Sequence, residues 1–127
     1  MDDPFWDPAT KEAKKTAKIL GFDVDIFAPN RRGDEGTTQM AGHLDYILSS
    51  DFDAIVISPI DDPKVAERLK KAASLGIKII FILSTVEGVP YEALVGTNAI
   101  ECGANAGKTA KQLLDNKGEI ILGMWSD

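Results

Sequence analysis

A neighbouring phenylalanine and tryptophan, Phe5 and Trp6, stand between two Asp-Pro pairs in the opening stretch DDPFWDP. Rings fenced by carboxylates do one of two things. They begin a helix that carries core aromatics, or they face a ligand, stacking on its C–H faces while carboxylates exchange hydrogen bonds with its hydroxyls. Asp3, Phe5 and Trp6 are therefore candidate ligand contacts. Further along, SPIDD carries Asp61, FILSTV carries Ser84 and Thr85, and VGTN carries Thr97 and Asn98. Each of these groups follows an apolar run that reads as a strand, or lies just ahead of a helical pattern. That is the side on which open α/β sheets bind ligands. Asp61, Asp62 and Asn98 also have a plainer reading, as caps of the helices that follow.

The motifs that would make the chain an enzyme fail on spacing. GANAGKTA resembles a phosphate loop, but only three residues separate Gly103 from Gly107 where four are needed, and the expected glycine position holds Cys102. The stretch reads as helix interior, with small residues on a packed face. A receiver domain needs an Asp at the end of its third strand and a Lys at the end of its fifth. Here Ser58 ends one strand, Asp61 comes three residues later, and the final run leads into Gly123-Met124-Trp125 without a lysine. His43 and Asp45 fall within one amphipathic helix, where a surface histidine explains His43 better than a triad does. Cys102 has no base beside it and reads as a small buried hydrophobe. No acid–base pair emerges, and the chain reads as a binding protein rather than an enzyme.

Composition narrows the partners. The 127 residues are 44% hydrophobic and 27% charged, with a formal net charge of −6. That suits one globular domain over residues 1–127. It argues against nucleic acid, whose phosphates demand clustered Lys and Arg. The lysines interleave with Glu and Asp on helix faces, as solvated faces do. One cysteine excludes an internal disulfide, and with a single histidine no Cys/His zinc site can be built. No metal or cofactor is expected. The longest apolar runs fall well short of the ~20 residues a membrane span needs, and no signal peptide is legible.

The elements that must position these groups alternate. GFDVDIFAP has Phe22, Val24 and Ile26 at period two and reads as a strand ending on Pro29. FDAIVISP and IKIIFIL are unbroken Ile- and Val-rich runs suited to parallel strands, and GEIILGMW closes the chain in the same style. Between them, Met40, Leu44, Ile47 and Leu48 share one helix face, and Val65, Leu69, Ala72 and Ala73 share another. Asp62 is the predicted N-cap of the latter helix, Pro63 its first residue and Gly76 its stop. A last helix runs through ECGANAGKTAKQLLDNKG to Gly118, with Gly103, Ala106, Ala110 and Leu113 allowing close packing. This order predicts an α/β fold: a doubly wound parallel sheet with helices on both faces. The first helix, around PATKEAKKTAKILG, has no strand before it, so the usual central first strand is expected to lie outside these residues. A strand exchanged with a second copy would fill that slot, giving a homodimer.

Taken together, DPFW, FDAIVISPIDDP, GIKIIFI and VGTNAIECGANAGK resemble the N-terminal lobe of type 1 periplasmic binding proteins, of the ribose and galactose type. The likeness covers nearly the whole chain in the family's order. It implies a two-lobed, hinged receptor for a sugar or sugar-like polyol, working outside the cytoplasm with a membrane permease or a sensor. By the same resemblance Asp3 matches a ligand-contacting Asn or Asp, Phe5 and Trp6 match the stacking aromatics, and Thr97-Asn98 matches the pair that opens the lobe's last helix. The family's Asp-Arg grip on sugar hydroxyls falls on Ser84-Thr85. Loss of that charged fork points from a simple pentose or hexose toward a modified sugar or a signalling polyol. Two relatives of this lobe offer alternative roles: the effector-binding core of a LacI-type transcription regulator, and a sensing lobe that works with a histidine kinase.

Overall fold

The computed structural model describes residues 6–123. In chain order the elements are α1 (Trp6–Leu20), α2 (Gly33–Leu48), β1 (Ala54–Ile57), α3 (Pro63–Ser74), β2 (Lys78–Ile82), β3 (Ala93–Val95) and α4 (Ala99–Leu113). They form two compact units, one running through Leu94 and the other from Val95 onward. The chain is an α/β protein with an open sheet of strand order β1-β2-β3.

In the first unit β1 and β2 pair in parallel, from Ala54 opposite Lys78 to Ile57 opposite Phe81. Ile55, Ile79 and Phe81 share one face of the sheet and are buried there with Leu44 of α2 and Val65, Leu69 and Ala72 of α3. Met40, Ile47 and Leu48 pack against this cluster, so the helix face read from the sequence is the face that docks. Alternate residues of a strand point to opposite faces. Val56, between Ile55 and Ile57, accordingly stands on the other face and is 60% exposed.

The boundaries of α3 follow from its termini. The Asp62 carboxylate accepts the Lys64 amide at 2.8 Å, and Pro63 occupies the first turn, where its missing N–H costs nothing. At the other end Gly76 adopts φ +87°, and the Ile77 amide reaches back to the Ala72 carbonyl at 3.1 Å. That bond closes a Schellman motif. Across the α2–α3 contact Arg68 grips Asp45 with two bonds of 2.8 Å, from Nε and from one terminal nitrogen. The guanidinium hydrogen bond holds the Asp45 carboxyl below its ordinary pKa and raises that of Arg68.

Several sequence expectations change. Residues 22–28 form no strand and pair with none among the described residues. Alternation chooses which side chains share a face. A strand also needs a neighbouring backbone, and none is offered. Phe22 and Val24 are exposed. The segment is instead held to α2 by the Phe27 ring, whose centroid lies 5.3 Å from His43 and 5.6 Å from Tyr46. Residues 118–123, the described part of the predicted closing strand, likewise form no strand, and Ile120, Ile121 and Leu122 are exposed. β3 was not anticipated, because its three residues give periodicity too little to work on.

In the second unit α4 ends at Leu113, short of Gly118. Asp115 and Asn116 take positive φ values of 48° and 65°, and the Asn116 amide bonds the Lys111 carbonyl at 3.0 Å. Asp and Asn tolerate the left-handed region better than other non-glycine residues, so they serve as the stop. The small residues of α4 do not form a packed face: Gly103, Ala106 and Leu113 are exposed and only Ala110 is half-buried. Cys102, expected to be buried, is exposed for the same reason.

Candidate functional site

The first unit brings two of the predicted groups to one edge. Because β1 and β2 run in parallel register, the residues after Ile57 and after Ile82 both leave the sheet at its carboxyl end. Each strand exits through a tight turn. After β1 the Asp62 amide bonds the Ile60 carbonyl at 3.0 Å, which makes Asp61 the apex of a γ-turn. The preceding amide, that of Ile60, donates to Met40 Sδ at 3.4 Å, tying this loop to α2. Asp62 turns its carboxylate to the amide of Lys64 as the cap of α3, while Asp61 stands exposed.

After β2 the Ser84 amide bonds the Ile82 carbonyl at 2.8 Å, and Leu83 between them sits at φ +67°. A γ-turn with its central residue at positive φ is uncommon and strained. A leucine there costs on the order of 1–2 kcal/mol relative to a right-handed conformation. What holds the turn is downstream: Val86 and Val89 are both buried in the core cluster, and the Val89 amide reaches the Val86 carbonyl at 3.4 Å. Ser84 and Thr85 are thereby presented as exposed hydroxyls between a strained turn and a buried anchor. The sequence marked these residues but gave no sign of the strain at Leu83.

The remaining predicted groups are placed as follows. Trp6 is half-buried at the start of α1. Asp3 and Phe5 lie outside the described residues. Asn98, in the second unit, caps α4: its Oδ1 accepts the Glu101 amide at 3.2 Å. Thr97 directly precedes it and is exposed. His43 is half-buried on α2 against Phe27, and no group of three or more His, Cys, Asp or Glu side chains able to hold a metal occurs among the described residues.

A parallel sheet that delivers a carboxylate and hydroxyls to its carboxyl edge defines an α/β ligand-binding domain. The chain belongs to the periplasmic binding protein domain family, whose model matches residues 1–124. Proteins of this family bind small-molecule ligands and in general do no catalysis. They typically work outside the cytoplasm, and no described helix of this chain is long and apolar enough to cross a membrane. No curated protein matches the chain.

Proposed function

We propose that the chain is the N-terminal lobe of a receptor for a sugar or sugar-like polyol, delivering its ligand to an import permease or a chemosensor outside the cytoplasm. The observation that carries this reading is the carboxyl edge of β1 and β2, where Asp61, Ser84 and Thr85 are all exposed beside two tight turns. Hydroxyls and a carboxylate on an edge of this kind match the donors and acceptors of a polyol, and Trp6, with Phe5, supplies the stacking surface. Asp3 is a further proposed contact, and Asn98 is proposed as a ligand contact of the second unit taken by itself.

A thermal melt with neutral sugars and polyols at millimolar concentration tests the reading, since a ligand of the native state raises the melting temperature. One sugar is expected to shift the melt of the wild-type chain, and Trp6→Ala or Ser84→Ala to weaken that ligand at least about tenfold. Affinity unchanged in both variants would remove the proposed site.

A second reading concerns assembly. Among the described residues the outer edge of β1 pairs with nothing, and Val56 beside it is exposed. An open apolar strand edge invites pairing with another chain, which favours a strand-exchanged homodimer. Light scattering is expected to give twice the mass of the 13.7 kDa chain. A monodisperse monomer across concentrations would rule exchange out.

A further inference from the structure

We infer that Leu83 is a further ligand contact at the carboxyl edge of β2 and selects a sugar with a deoxy position, an inference that rests on the sugar reading above. The observation is a large apolar side chain kept out of the core at the cost of backbone strain. Ile79 and Phe81 point into the core and are buried. Alternation along a strand would carry Leu83 in after them. Instead its φ of +67° turns the chain, and the leucine stands 46% exposed while Val86 and Val89 join the core. The turn itself does not ask for a leucine. Glycine adopts positive φ without steric cost, as Gly76 and Gly88 do in this same unit. Leucine there is strained and forgoes burial as well. Strain of this kind concentrates where a protein clamps a ligand.

The neighbours say what such a ligand would meet. No residue from Ile79 to Val86 carries a charge. Ile82 before the leucine is half-buried, and Ser84 and Thr85 after it are exposed. This loop therefore offers hydroxyls directly beside an apolar side chain. A sugar oxygen set against Leu83 would give up water and gain no hydrogen bond in return. A deoxy carbon in the same place has no such loss and buries apolar area. Leu83 would thus discriminate between sugars that differ by a single oxygen.

Pairs of that kind, titrated into the full chain, test this: D-fucose and D-galactose, quinovose and glucose, deoxyribose and ribose. At least one pair is expected to favour the deoxy sugar by about tenfold or more. Leu83→Gly should melt no lower than the wild type, because glycine relieves the strain, and should abolish the preference. Leu83→Met, apolar and of similar volume, should retain it. Parent sugars bound as tightly as their deoxy partners in every pair would overturn the role of Leu83 and leave the sugar reading standing. So would a preference that survives Leu83→Gly. A Leu83→Gly chain that melts lower and loses both members of a pair alike would make the leucine structural, overturning its role as a contact. Binding of none of the six sugars would overturn both.

Discussion

Phe81→Ala is expected to cost about 3–5 kcal/mol of folding stability, the range for removing a buried aromatic ring from a packed core. Phe81 is fully buried on β2, at the centre of the cluster that joins both strands to α2 and α3. Its ring also lies 5.2 Å from that of Tyr91, so the loop after β2 leans on it. Truncation would leave a cavity that Leu44, Val65 and Leu69, fixed on two helices, could close only partly. Urea denaturation at equilibrium measures the loss. Since a domain's whole stability is about 5–15 kcal/mol, Phe81→Leu provides a milder companion that stays folded and loses less. A loss under about 1 kcal/mol for the alanine variant would mean that the core is not centred here.

Gly36→Ala and Gly42→Ala, two turns apart on α2, are expected to move stability in opposite directions. Helix propensity alone predicts a gain of about 1 kcal/mol for either change. At Gly42 a new methyl meets nothing within 4 Å, and the gain is realised. At Gly36 the methyl would stand 2.5 Å from the Arg31 carbonyl oxygen and 3.1 Å from its carbon. That backbone cannot simply step aside. The Asn30 amide is held by Gln39 Oε1 at 2.9 Å, and Gln39 Nε2 in turn donates to Asn30 Oδ1 at 2.8 Å. Overpacking against so fixed a neighbour costs about 1–3 kcal/mol, which outweighs propensity. Thermal melts of the two variants suffice as a check. A stabilised Gly36→Ala would show that the loop yields.

What could be read from the sequence was local or periodic. α3 is the clearest case: Asp62-Pro63 opens it, Gly76 closes it, and Val65, Leu69 and Ala72 mark its buried stripe. The Ile-rich runs that became β1 and β2 were equally plain, and with them the positions of Asp61 and Ser84 just past their ends. What failed depended on partners. Phe22, Val24 and Ile26 alternate as a strand should, yet alternation cannot supply the adjacent backbone that a ladder requires. The small face of α4 fails in the same way, since Gly103 and Ala106 permit close packing without guaranteeing a neighbour. The approach of the Arg31 carbonyl to Gly36 and the positive φ of Leu83 leave no mark on composition or period at all. At the candidate site the plainer duty was legible too: Asp62 and Asn98 cap helices, as that reading expected, while Asp61 caps nothing and is the carboxylate exposed at the apex of its turn.

The strained turn at Leu83 bears on how fast a ligand could be captured. A loop that must order itself around its guest adds an entropic cost and a slow step to association. Here the ordering has been done during folding: the turn is forced at one end by the Ser84–Ile82 hydrogen bond and pinned at the other by Val86 and Val89. Under the proposed binding at Ser84 and Thr85, a molecule would meet a surface set before it comes. Its arrival would be governed by diffusion and by motions larger than this loop, and differences in affinity at these two residues would be expressed in how long the molecule stays.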